Sequence, residues 1–482
     1  MVSLGGSRVS SSSRDSAGVA SWLLNPAAAF LLVSLPLGIA TLALDPPLRG
    51  YDETAHFVRI YGISAGDFIP LTRDDQDRRG TFIPARLNAE LRLFDDARKN
   101  VDTPLLNYRD VFAKYRRFVA EPRGGEEPDV FALYEGSEAY SPLAYLPQIG
   151  AAWVGRAVGA DFLTLITLMR VAGFLVMTAA TAYAIAIVPH LQWTFLTIAM
   201  LPSAFYARTL VGVDAALVSF SLVAMALALR RVCGEADDAP WLRALFMTLC
   251  VVTKPPQVVW LSLEIMTRPL RELSRHWREL VLVTAPGLAL TISWVLVMSG
   301  DVGAWRVSLG THTPLEFFGA RPQLELWLSD PLRFPRMLVG SLGSWEIKDL
   351  WRQLIGILGW LDTALQSWTY PSLSALLLAS FLAPFPLDST TRRRVAAICA
   401  SAAIAYFLCV YLIFYLAWTP INATDIWGVQ GRYFVVMLAP IAIAVAALIN
   451  RAPTESIRAA IAVFSALLSG FATIEAIMRV NW

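Results

Sequence analysis

The chain has 482 residues, 56% of them hydrophobic and only 16% charged, with a formal net charge of +2 and a mean hydropathy of +0.52. Soluble domains carry about 25% charged residues, so the deficit points to a membrane protein with many spans. The near-neutral balance, without a basic–aromatic stripe, offers no surface for nucleic acid. Cys233, Cys250, Cys399 and Cys409 are isolated, have no metal-site spacing, and read as small buried hydrophobes.

Residues 1–20 are Ser/Gly-rich, carry Arg8 and Arg14, and read as a disordered cytoplasmic terminus. The apolar run 21–44 is longer than a signal-peptide core. It lacks a small-residue cleavage site before Asp45-Pro46-Pro47, which fits an uncleaved signal anchor. An all-α bundle of about eleven spans is expected, at 21–44, 164–188, 191–211, 215–230, 241–253, 255–267, 279–299, 370–386, 395–418, 432–449 and 456–477. Arg8 and Arg14, Arg230 and Arg231, the Arg268/Arg271/Arg275/Arg278 cluster, Arg392–Arg394, and Arg451 with Arg458 then fall on the cytoplasmic side. The chain divides into a first span (21–44), an extracytoplasmic loop (45–163), a bundle (164–299), a second outer loop (300–369) and C-terminal spans (370–482). The stretch 141–159 is expected as a helix lying on the outer surface, with Tyr140, Tyr145 and Trp153 at headgroup level. The polar stretch 70–139 reads as a compact insertion with little core of its own.

Asp52, Glu53, His56 and Arg59 stand three or four residues apart just outside the first span, so on a helix they share one face. A carboxylate there can deprotonate an acceptor hydroxyl, and a neighbouring one can tune it or hold a divalent cation. The plainer alternative is a helix N-terminus whose carboxylates complement the dipole while Arg59 neutralises them. Arg208 and Asp214 mark the outer end of a span pair, as functional groups or as a structural ion pair. Lys254 sits at a helix break before Pro255-Pro256, where it suits an anionic lipid-linked phosphate or caps a hairpin. Asp362 lies among the aromatic anchors of 356–368. Arg432 and Tyr433 stand at the mouth of a span, as phosphate ligands or interfacial anchors. No histidine pair has metal-ligand spacing, and no hydrolase elbow or phosphate-cradling glycine loop is present.

Taken in order, Asp52-Glu-Thr-Ala-His-Phe-Val-Arg59, Tyr140-Ser-Pro-Leu-Ala-Tyr-Leu-Pro-Gln148, Leu201-Pro202 to Asp214, Lys254-Pro255, Gly356-Ile-Leu-Gly-Trp-Leu-Asp362 and Gln430-Gly-Arg-Tyr-Phe434 resemble domain-of-unknown-function family 2142. Its members are bacterial multi-spanning membrane proteins, and the resemblance runs from about residue 40 to 450. That family in turn looks like a branch of the GT-C glycosyltransferases. The resemblance implies a helical bundle with surface-lying helices and a polyprenyl-phosphate sugar as donor. By position it makes Asp52 the catalytic carboxylate with Glu53 beside it, and Asp214 a second acidic residue. Lys254 and Arg432 would face the donor phosphate, supported by His56, Arg59, Tyr145, Arg208, Asp362 and Tyr433. The resemblance fixes no cofactor and leaves metal dependence open; a divalent cation, if used, would fall to Asp52, Glu53 and Asp214.

The expected function is therefore sugar transfer from a polyprenyl-phosphate donor to an envelope saccharide, lipid or protein on the outer face of the plasma membrane. The membrane lipid is the other expected partner. Two rival functions are transport of a lipid-linked or polymeric saccharide, for which broken spans and buried charges are also used, and a non-catalytic role in envelope assembly.

Overall fold

The computed structural model describes residues 25–99, 107–121, 128–234, 240–298, 307 and 310–482, so the stretch 1–20 lies outside the described residues. Within hydrocarbon every backbone N–H and C=O must be paired inside the chain, which favours helix, and 72% of the described residues are helical. The first half carries α1 (Pro26–Leu44), α2 (Glu53–Ser64), α3 (Ala85–Lys99), α4 (Tyr108–Ala120), α5 (Leu146–Ala157), α6 (Phe162–Ile187), α7 (Gln192–Ala199), α8 (Pro202–Arg208) and α9 (Asp214–Cys233). The second half carries α10 (Pro240–Val251), α11 (Trp277–Val297), α12 (Ala320–Ser329), α13 (Arg333–Gly340), α14 (Ser344–Gly356), α15 (Thr369–Ser380), α16 (Ser389–Ala417), α17 (Leu438–Ile449) and α18 (Glu455–Asn481).

Among the described residues seven helical segments are long and apolar enough to cross a membrane: α1, α6, α9, α11, α16, α18 and the stretch Gly431–Ile449 that ends in α17. The chain is thus an all-α, multi-pass membrane protein. The other four expected spans are shorter or broken. Segment 191–211 is divided into α7 and α8 at Pro202, and 370–386 holds only the 12 residues of α15. Segment 241–253 is the 12-residue α10, and 255–267 is a 3₁₀ stretch, Pro255–Thr267, entered through two prolines. Proline removes a donor and blocks the preceding turn, and 12 residues rise only about 18 Å. At the α7–α8 break Arg208 donates to the Ala199 carbonyl at 2.7 Å, satisfying a group the break has freed.

The bundle has two ends of different character. At one end Arg243 pairs with Glu264 (3.4 Å) and Glu279, and Arg268 with Glu279 (2.6 Å). Arg230 and Arg231 close α9 on the same side, while Asp214 opens that helix at the other end. The end of α18 returns to the Asp214 side, where the Trp482 indole donates to the Leu44 carbonyl at 2.7 Å.

The insertion has more core than its composition suggests. An antiparallel pair, β1 (Gly80–Ile83) and β2 (Val130–Leu133), with Gly80 opposite Leu133, lies against α2. Leu87, Leu91, Phe94, Tyr108, Val111 and Tyr115 are buried in one cluster with Phe57, Phe162 and Leu165. The insertion therefore shares a core with α2 and α6, and Glu90 caps α6 by accepting from the Phe162 amide at 2.9 Å. Helix α5 buries Gln148, Ile149 and Ala152 and exposes Leu146, Trp153 and Val154, whereas Tyr145, expected at headgroup level, is fully buried with its hydroxyl against His56.

Candidate functional site

Asp52 is the residue before α2, in left-handed backbone at φ +50°. That conformation costs a non-glycine residue about 1–3 kcal/mol and persists only where the surroundings hold it. Its neighbours on both sides are fixed. Arg49 makes a two-pronged pair with Asp362 (2.8 and 2.9 Å), and the Tyr51 hydroxyl donates to the Ile357 carbonyl at 2.7 Å. Glu53 is buried against Arg170 (2.6 and 2.7 Å). Between these anchors the Asp52 side chain is 34% exposed, with Oδ2 3.1 Å from Nη2 of Arg432.

Arg432 comes from the 3₁₀ turn Gly431–Met437 that leads into α17. Gly431 passes so close to the Leu350 carbonyl that a Cβ would collide with it, and its amide donates to Gln353 at 2.8 Å. These contacts fix the turn and aim Arg432 at the site. The Arg432 guanidinium lies 4.1 Å above the Tyr51 ring, with Nε 3.6 Å from Asp214. Asp214 in turn holds the Lys254 ammonium at 2.6 Å. Lys254 sits over the rings of Tyr433 (4.6 Å) and Tyr140 (5.3 Å). Four charges of alternating sign, Asp52, Arg432, Asp214 and Lys254, therefore form a row at one end of the bundle. Nη1 of Arg432 is buried and has no hydrogen-bond partner among the described residues.

His56 lies beside this row, with Nδ1 2.6 Å from the Tyr145 hydroxyl and its ring 5.5 Å from that of Tyr140. Burial pushes His56 down to about 4, against the opposing pull of Asp52 and Asp214, so the ring is neutral at pH 7. Burial likewise pushes the Tyr140 hydroxyl up to about 12, although Lys254 works the other way.

The structure brings Asp52, Asp214, Lys254, Arg432 and Tyr433 together, with His56 and Tyr145 behind them. The remaining expected residues lie elsewhere, and the single face expected for Asp52, Glu53, His56 and Arg59 does not form, because Asp52 stands outside the helix. Glu53, expected as a second catalytic carboxylate, accepts from Arg170 and from the amides of Val211 (2.9 Å) and Gly50 (3.3 Å). Both of its oxygens are therefore occupied. Arg59 donates to the carbonyls of Asp67 and Phe68, at 2.7 Å each, and neutralises neither Asp52 nor Glu53. Arg208 is tied to the α7–α8 break and does not form the alternative pair with Asp214. Asp362 anchors Arg49 and so steadies the loop carrying Asp52. Among the described residues no three His, Cys, Asp or Glu side chains gather in a way that could hold a metal ion.

Sequence reasoning missed Arg170, Asp45 and Tyr206, which build a polar centre beneath Asp52. Arg170 donates to the Asp45 carbonyl at 2.8 Å, and the Tyr206 hydroxyl to the Asp45 carboxylate at 3.1 Å. An arginine inside the apolar run 162–187 was the available signal, since a charge at that depth needs a partner. Nothing in its spacing marks Tyr51.

A family model described as "Predicted membrane protein (DUF2142)" matches residues 35–471, and the chain belongs to this family, domain-of-unknown-function family 2142. No curated protein and no solved structure matches it.

Proposed function

We propose that this member of family 2142 is an inverting glycosyltransferase, moving a sugar from a polyprenyl-phosphate donor to an envelope acceptor on the outer face of the bacterial plasma membrane. The observation that carries the proposal is the pairing of a part-exposed carboxylate, Asp52, with a buried guanidinium, Arg432, that has an unused donor. A buried donor without an acceptor costs about 1–3 kcal/mol, a cost removed when an anionic oxygen reaches it.

In the proposed reaction Asp52 takes the proton of an acceptor hydroxyl, and the acceptor oxygen bonds to the anomeric carbon. The bond from that carbon to the phosphate oxygen breaks, and its electron pair leaves on polyprenyl phosphate. Arg432 and Lys254 stabilise the charge that develops there. Asp214, hydrogen-bonded to Lys254 and adjacent to Arg432, keeps both cations in place. Tyr51, Tyr140 and Tyr433 shield them from water. The outer-face assignment rests on the arginines gathered at the opposite end of the bundle.

The test is incubation of the purified protein with synthetic polyprenyl-phosphate sugars and a panel of envelope acceptors. Release of polyprenyl phosphate coupled to acceptor glycosylation is the expected result. Movement of an intact lipid-linked sugar from one leaflet of a proteoliposome to the other, without cleavage, would instead establish a transporter. The helix break at Lys254–Pro256 is the feature that would favour that outcome.

A further inference from the structure

Asp52 and Asp214 would together be the natural ligands of a divalent cation bridging to a phosphate, since such ions are commonly held by one or two carboxylates plus phosphate oxygens. Among the described residues, however, no third His, Cys, Asp or Glu side chain joins them to complete such a site. Asp52 meets Arg432 at Nη2 (3.1 Å) and Asp214 approaches it at Nε (3.6 Å), so a guanidinium already stands where an ion shared by the two carboxylates would sit. A metal ion needs its oxygen ligands within about 2.0–2.6 Å of a single point. The second Asp214 oxygen is taken by Lys254 at 2.6 Å. The third candidate, Glu53, is saturated by Arg170 and two backbone amides. With Arg432 and Lys254 in place the two carboxylates are already neutralised, and a divalent ion would add two further positive charges.

We infer that the Arg432 guanidinium occupies the cation position of this site and takes the donor phosphate in place of a metal ion, so that transfer proceeds without one. The inference rests on the proposed transferase function. It also makes a claim about the resting protein that stands apart from turnover. A planar fork suits the task because Nη2 engages Asp52, Asp214 lies 3.6 Å from Nε, and Nη1, buried without a hydrogen-bond partner among the described residues, remains for the phosphate. Arginine, unlike a dissociable ion, also holds this charge at any accessible pH.

Two measurements on the full-length protein test the inference. Mn²⁺ titration followed by electron paramagnetic resonance should give the same weak surface binding for wild type, Asp52→Asn and Asp214→Asn. One tight Mn²⁺ site in wild type, lost in both variants, would overturn the inference whether or not transfer is ever observed. The second uses radiolabelled polyprenyl phosphate. Its binding should survive EDTA within about twofold, which is a change of about 0.4 kcal/mol. It should fall at least about tenfold in Arg432→Ala and recover when millimolar methylguanidinium, but not Mg²⁺, is added. Recovery with Mg²⁺, or loss of wild-type binding in EDTA, would refute the role given to Arg432. Circular dichroism and Mn²⁺ titration of Arg432→Lys, which keeps the charge, guard against a variant that simply misfolds.

Discussion

Glu53 and Arg170 form a two-pronged ion pair, at 2.6 and 2.7 Å, with both side chains at 5% exposure or less. The pair joins the first turn of α2, next in sequence to the strained Asp52, to the first half of α6. Removing one partner leaves an uncompensated buried charge, which costs about 3–5 kcal/mol. Arg170→Met should therefore lower the thermal midpoint in detergent sharply. Glu53→Gln in the same chain should restore part of the loss, because the stranded carboxylate is gone. An Arg170→Met protein with the wild-type midpoint would show that the pair contributes nothing.

Two buried groups near the site titrate in opposite senses. Burial lifts Asp45 from 3.8 to about 7, partly offset by Arg170 and reinforced by Glu53. The folded state keeps a proton that the unfolded chain releases, so this contribution to stability is lost as pH rises through about 7. His56 works the other way. Its value falls from 6.5 to about 4, so its contribution is complete above 6.5 and is lost as pH drops towards 4. Between those values the slopes oppose each other. Asp45→Asn should make the thermal midpoint fall on acidification through this window, and His56→Gln should make it rise. Identical pH profiles for wild type and both variants, followed by tryptophan fluorescence, would contradict these assignments.

Gly431 offers a backbone test of how Arg432 is aimed. A methyl group there meets the Leu350 carbonyl, a backbone atom that cannot step aside alone. Overpacking of this kind costs about 1–3 kcal/mol, and the turn must move to relieve it. Gly431→Ala should weaken polyprenyl-phosphate binding and lower the thermal midpoint. Gly150→Ala, at a helical position with open space around it, should leave binding unchanged and stabilise by up to about 1 kcal/mol. Equal behaviour of the two variants would remove the close approach at Gly431 from the explanation.

The row of charges was largely legible in the sequence. Asp52, Asp214, Lys254 and Arg432 each stand in lipid-compatible surroundings where a charge is expensive, although no spacing indicates that residues 380 apart, Asp52 and Arg432, should meet. The destination of Glu53 was not legible. It depends on Arg170, 117 residues away, and on Asp52 standing in left-handed backbone outside the helix that carries Glu53. The bundle was legible as a class and less so in its count. Hydropathy registers the apolar composition of 191–211 and 241–267, whereas the length of unbroken helix there is set by Pro202, Pro255 and Pro256.

Lys254 contributes a point charge rather than a fork, so its loss should be graded. Lys254→Met removes a charge-assisted contact worth about 1.5–3 kcal/mol. Affinity for polyprenyl phosphate should fall about 10- to 100-fold, and Lys254→Arg should recover part of it. Unchanged affinity in Lys254→Met, measured by equilibrium binding, would leave Arg432 as the only phosphate ligand of the row.

The most direct measurement compares sugar transfer by wild type and Asp52→Asn on the same polyprenyl-phosphate donor, with donor binding followed in parallel. Loss of a positioned general base lowers rate by about 10²–10⁴-fold. The expected result is a drop of that size in transfer with donor affinity and thermal midpoint nearly unchanged. Transfer at the wild-type rate by a folded Asp52→Asn protein would contradict the assignment of Asp52 as the base.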